Sequence, residues 1–136
     1  MKSGDVFYIG NVVLNVNGEN KNKYLNPRRK IRVVFLWEKD DKLYFLPVLD
    51  FKISENDIEI KIDDNNPRFN EMNFPSNSSS YFVNIENIIE KPIAYYKSNG
   101  GSLTNSEMLQ VYHAMSKRYN GKRNIKIKVS KAKCKK

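Results

Sequence analysis

Short apolar runs separated by polar and turn-forming residues recur along most of the chain, the pattern of β-strands. Gly4-Asp5-Val6-Phe7-Tyr8-Ile9 reads as a first strand, and the β-branched run Val12-Val13-Leu14-Asn15-Val16 as a second. Ile31-Arg32-Val33-Val34-Phe35-Leu36-Trp37 is almost unbroken in apolar character, which predicts a central strand buried on both faces. The charged run Glu38-Lys39-Asp40-Asp41-Lys42 predicts a tight turn, and residues 43–49 the returning strand of a hairpin. Pro47 lies inside that return, and a residue that cannot donate to a ladder is expected at an edge or a bulge. Ile58-Glu59-Ile60-Lys61-Ile62 alternates as a half-buried strand does. Tyr81-Phe82-Val83-Asn84-Ile85 follows. Ile88-Ile89 and Ile93-Ala94-Tyr95-Tyr96 read as a last strand broken by Pro92, and Asn99-Gly100-Gly101 as a turn.

The period changes only once. Met108, Val111, Tyr112, Met115 and Tyr119 recur at helical spacing, behind a Thr104/Glu107 capping box and ahead of Gly121, which suits the left-handed residue after a helix. The two methionines read as core filler, and His113 falls on the opposite, solvent-facing side beside Lys117. Residues 17–29 and 63–80 are long polar connections, a length that goes with function or mobility. In the last stretch Ile125, Ile127 and Val129 alternate with lysines as a short edge strand would, and the rest is too charged to pack. The expected class is mainly β (α+β): a small SH3-like antiparallel barrel with one helix in its C-terminal half. Residues 1–120 form that domain, and 121–136 a basic, partly disordered tail. A barrel is preferred to an open sandwich because closure removes exposed edges.

Charge sharpens this picture. The net charge of +9 is split along the chain. Residues 1–37 hold seven Lys/Arg against two acids, 38–90 five against twelve, 91–120 four against one, and 121–136 eight against none. Two basic blocks flank an acidic middle, an electrostatic footprint that fits a polyanion. Cys134 is the only cysteine and His113 the only histidine, so no disulfide and no thiolate or histidine metal cluster is expected, and no cofactor. No Walker loop, dinucleotide fingerprint or Ser-His-Asp arrangement is present. No apolar run approaches a membrane span and no signal peptide is visible, so the expected compartment is the cytoplasm, with no membrane association.

Read together, the opening Gly-Asp-Val strand, the basic loop before an apolar strand, the charged turn, Leu46-Pro47-Val48, and the closing Ser-Tyr-Phe-Val, Ile-Ile-Glu-Lys and Gly-Ser-Leu-Thr segments with their helix resemble the MazF/PemK-like toxins. The hairpin over residues 31–52 is also similar to ToxN-type toxins of RNA-antitoxin systems. The likeness spans most of residues 3–119 and is diffuse. It implies an SH3-like barrel and a toxin-like, metal-independent endoribonuclease that cleaves single-stranded RNA in a toxin–antitoxin system. It further implies a homodimer and an antitoxin, either an acidic protein or a structured RNA. In that family an arginine, usually followed by proline, opens the apolar strand, and a Thr or Ser follows a Pro-x motif at the end of the next. The counterparts here are Arg29, Lys30 or Arg32 for the first and Leu49-Asp50 for the second; the proline neighbour and the hydroxyl are both missing, and Ser54 is the nearest hydroxyl downstream.

Cleavage through the 2′-hydroxyl needs a base for that hydroxyl, a cation on the crowded phosphate and a proton for the leaving 5′-oxygen. The residues that match these roles are Arg29, Arg32 and Asp50 as catalytic groups. Lys21, Lys23, Tyr24, Arg28, Lys30, Lys52 and Ser54 match RNA-binding roles, and Phe69 and Phe74 are further loop rings able to stack on bases. The loss of the hydroxyl pair leaves a second reading open, a non-catalytic module on the same barrel that binds nucleic acid or protein. A third is an accessory protein tethered to nucleic acid by its tail.

Overall fold

The computed structural model describes residues 1–10, 12–16, 19–20, 30–61 and 80–119. Ten elements follow one another: β1 (Asp5–Ile9), β2 (Asn15–Val16), β3 (Glu19–Asn20), β4 (Ile31–Lys39), β5 (Lys42–Leu49), β6 (Ile58–Lys61), β7 (Ser80–Val83), β8 (Ile89–Pro92), β9 (Lys97–Ser102) and α1 (Asn105–Tyr119). Among the described residues β2 and β3 pair only with each other. The other seven strands form one antiparallel sheet in the order β6-β7-β5-β4-β1-β9, with β8 also on β5.

The β4–β5 hairpin organises everything else. Its turn is Asp40-Asp41, both in the left-handed region at φ 53° and 61°, the geometry of a type I′ turn whose twist matches the strands it joins. Along β4, Ile31, Val33 and Phe35 face one side and Val34 and Leu36 the other. A bulge between Phe35 and Trp37 shifts the register, so Trp37 joins Leu36 on its face. Both faces are buried, as the apolar run predicts. On one face α1 lays Met108, Val111, Tyr112 and Met115 against the sheet, and the Tyr112 ring stacks on Trp37 at 6.1 Å. On the other, Phe7, Phe35 and Phe45 meet edge to face, with Val12, Leu14 and Ile53 from connecting segments closing over them. Each fully buried large side chain is worth about 1.5–3 kcal/mol, so the two cores outweigh any single cap or ion pair.

The mainly β class with one helix is as expected, but the described strands do not close into a barrel: β6 and β9 end the path unpaired with each other. The path also branches at β5. Its N-terminal half pairs with β8 (Lys42–Phe45) and its C-terminal end with β7 (Val48–Leu49), so one edge serves two strands. Pro47 sits at the division. Its carbonyl accepts the Asn84 N–H at 3.1 Å, and the missing proline N–H falls on that same side, where neither β7 nor β8 needs it. The proline is thus not on an outer strand; it marks the split in a central one. α1, not a closing strand pair, covers this face.

Helix α1 begins as its capping box predicts. The Thr104 N–H donates to Glu107 Oε1 at 2.8 Å, and the Glu107 N–H donates to Thr104 Oγ1 at 3.2 Å. Just before it, the chain passes close to Gly4, at φ +99°, where a Cβ would lie 3.2 Å from the Leu103 carbonyl oxygen. His113 is exposed, as expected. Three expectations need correction. Of residues 12–16 only Asn15–Val16 is strand. Residues 93–96 are not strand, and β8 instead continues through Pro92. Asn99-Gly100-Gly101 is part of β9, where the register against β1 shifts between Asp5 and Phe7: the turn signal makes a bulge inside a strand. Gly121 and the 121–136 tail lie outside the described residues.

Candidate nucleic-acid interface

Antiparallel order gathers four strand ends at one end of the sheet. β1 finishes there at Ile9, β4 starts at Ile31, β5 finishes at Leu49 and β9 starts at Lys97. Residues that are distant in sequence meet as a result. Arg32 lies opposite Tyr8 on one side and Val48 on the other. Alternation sets it on the face of Val34 and Leu36, on the side covered by α1 but at the opposite end of β4 from Trp37 and Tyr112.

Arg32 is half-buried, with its guanidinium carbon 6.0 Å from the centre of the Tyr8 ring, within cation–π range. Tyr8 is held in turn by β9: Asn99 Nδ2 donates to its hydroxyl at 2.7 Å, and Lys97 lies directly opposite it. Residues directly opposite in an antiparallel pair share a face, so Arg32, Tyr8 and Lys97 form a row across three strands. A cation seated on a central strand and steadied by a ring is more fixed than one on a loop.

Lys30, Asp50 and Lys52 lie in the segments that leave the strands at this end. Lys30 is exposed, two residues before Arg32, with its stem beside Gly10 at the end of β1. Asp50 is exposed and directly follows β5, two residues beyond the Val48 that faces Arg32. Lys52 is exposed two residues further on. The hairpin's open end thus carries Lys30 and Asp50 two residues beyond the Arg32–Val48 pair, with Lys52 two residues further along the chain. Lys21, Lys23, Tyr24, Arg28 and Arg29, with Phe69 and Phe74, lie outside the described residues. Tyr8, Lys97 and Asn99 join the site through strand pairing, and no local pattern in the sequence marks them.

Ser54 belongs elsewhere. It is buried, and its hydroxyl accepts the Asn56 N–H at 3.1 Å and also bonds the Glu86 carboxylate. Around it Asp57 accepts the N–H groups of Ile53 and Ser54 at 2.8 and 3.1 Å and the Asn84 side-chain amide at 2.7 Å. Asn84, 1% exposed, accepts from Glu86 N, Asn87 N and Asn87 Nδ2 through its carbonyl oxygen. Glu86 pairs with Arg118 at 3.2 Å, and the Tyr119 hydroxyl donates to the Ile85 carbonyl at 2.8 Å. The Ser54 hydrogen bond, helped by Asn56 and Arg118 against the opposing effect of burial, holds the Glu86 carboxyl below its ordinary 4.5. This network ties the β5–β6 connection, the β7–β8 corner and the end of α1 together.

Among the described residues no three His, Cys, Asp or Glu side chains gather to hold a metal ion, and no helix is long and apolar enough to cross a membrane. No protein-family model matches this chain, and no curated protein sequence is similar to it.

Proposed function

We propose that this chain is a toxin-like endoribonuclease that cuts single-stranded RNA at the open end of the β4–β5 hairpin without a metal ion. The observation that carries the reading is Arg32, half-buried on a central strand against Tyr8, with Asp50 following the facing strand. Arg32 holds the scissile phosphate. Asp50 takes the proton of the neighbouring 2′-hydroxyl, whose oxygen attacks phosphorus. The 5′-oxygen leaves and takes a proton from water, giving a 2′,3′-cyclic phosphate and a free 5′-hydroxyl. A fixed cation at the phosphate accelerates the reaction about 10²–10³-fold, and proton transfer adds about 10²–10⁴-fold. Lys30, Lys52 and Lys97 bind flanking phosphates. The resemblance to MazF/PemK-like toxins adds a cytoplasmic homodimer and an antitoxin, an acidic protein or a structured RNA, covering the cationic end.

A second reading, binding without cutting, is favoured by one observation: the Ser54 hydroxyl is committed to its own turn and to Glu86, so it does not replace the family's missing hydroxyl. One experiment separates the two. Purified wild type and Arg32→Ala are incubated with long single-stranded RNA in EDTA. Discrete fragments ending in a cyclic phosphate, from wild type only, support the nuclease. Intact RNA that is nevertheless shifted on a gel, and released by salt, supports the binding module. RNA neither cut nor bound contradicts both.

A further inference from the structure

We propose that Tyr95 is a base-stacking position for single-stranded RNA, at the sheet edge beside the Arg32–Tyr8–Lys97 row; the inference rests on the RNA reading above. Tyr95 and Tyr96 are neighbours with opposite fates. The Tyr96 ring packs edge to face on Phe45 at 5.8 Å, whereas Tyr95 is 89% exposed. Exposing a whole tyrosine ring forgoes its burial energy, and here Ile93 in the same connection is exposed as well, at 53%.

The connection is nonetheless held at both ends. The Tyr96 hydroxyl donates to the Pro92 carbonyl at 2.7 Å, closing the loop on itself. Pro92 is paired with Lys42 and Lys97 with Tyr8. Tyr95 therefore projects from a braced support, and little ordering cost remains when something stacks on it. Its flanks are cationic: Lys91 and Lys97 lie on either side in the chain, and no acid occurs between Glu90 and Glu107. An exposed ring between lysines is the combination by which single strands are held, because every base has a face to stack and every linkage a charge. Tyr95 is two residues, at most about 7 Å of chain, from Lys97, so one RNA strand can place phosphates on Arg32 and Lys97 and a base on Tyr95. Stacking of this kind tolerates any base, so the position adds affinity without sequence choice.

The test is binding of a short 2′-O-methyl oligonucleotide, which cannot be cut through its 2′-oxygen, and of the same backbone with abasic sites. Wild type, Tyr95→Ala, Tyr95→Phe and Arg32→Ala are compared by fluorescence anisotropy. Tyr95→Ala should weaken the base-bearing oligonucleotide roughly 5- to 150-fold, Tyr95→Phe should restore it, and the abasic backbone should bind wild type and Tyr95→Ala alike. If Tyr95→Ala binds the base-bearing oligonucleotide as wild type does while Arg32→Ala is weakened, the stacking position is wrong and the RNA reading stands. If wild type binds neither oligonucleotide, both the stacking position and the RNA reading fail.

Discussion

Two polar clusters sit on this sheet, and they are built differently. The one around Asp57, Asn84 and Glu86 is mostly buried, and its groups bond one another and the backbone of two connections, β5–β6 and β7–β8. The one around Arg32, Tyr8 and Lys97 lies at the sheet's end, with Lys30, Asp50 and Lys52 exposed around it. Buried hydrogen bonds that are satisfied within the chain hold corners together and leave nothing for a ligand. The exposed ammonium groups of Lys30, Lys52 and Lys97 beside the row can exchange water for phosphate. Ser54 shows why the distinction matters. It is only four residues from Asp50 in sequence, yet it belongs to the structural cluster.

Substitutions in each cluster should have different consequences. The largest effect expected is on folding: Asn84→Ala removes the acceptor of three donors and the donor to Asp57, and should cost about 3 kcal/mol in urea unfolding. Next, Arg32→Ala should lower cleavage about 100-fold or more while moving the unfolding midpoint little. Ser54→Ala separates the clusters further, with a loss of about 1 kcal/mol in stability and unchanged cleavage by the remaining folded protein. A cleavage defect as large as that of Arg32→Ala would move Ser54 into the site. The smallest effect is on acid stability. Because the folded Glu86 carboxyl titrates below its ordinary 4.5, its contribution is present above that pH and lost as pH falls through the lower folded value. Glu86→Gln should flatten this acid limb of the unfolding midpoint; the effect is modest because the pair is partly exposed.

What the sequence makes legible follows from how local each signal is. The β4–β5 hairpin is readable because two apolar runs flank the charged turn Glu38-Lys39-Asp40-Asp41-Lys42. Helix α1 is readable from its capping box and apolar stripe. Arg32 is readable as a cation on an apolar strand. The row it belongs to is not, because Asn99 reaches Tyr8 across 91 residues, and no local pattern announces that pairing. The Asn-Gly-Gly signal is real, but strand pairing with β1 turns it into a bulge. Barrel closure among the described strands fails as an expectation because whether β6 and β9 meet is a tertiary choice that no local pattern marks.

If the two clusters divide the work in this way, RNA meets the Arg32 cluster and not the Glu86 cluster. Photocrosslinking of wild-type protein to 4-thiouridine-substituted single-stranded RNA, with the attached peptides identified by mass spectrometry, reads this contact directly. Crosslinks are expected on the peptides that hold Tyr8, Arg32 and Tyr95, suppressed by salt. Crosslinks concentrated on the peptides of residues 53–57, 84–87 and 118–119 would contradict that division.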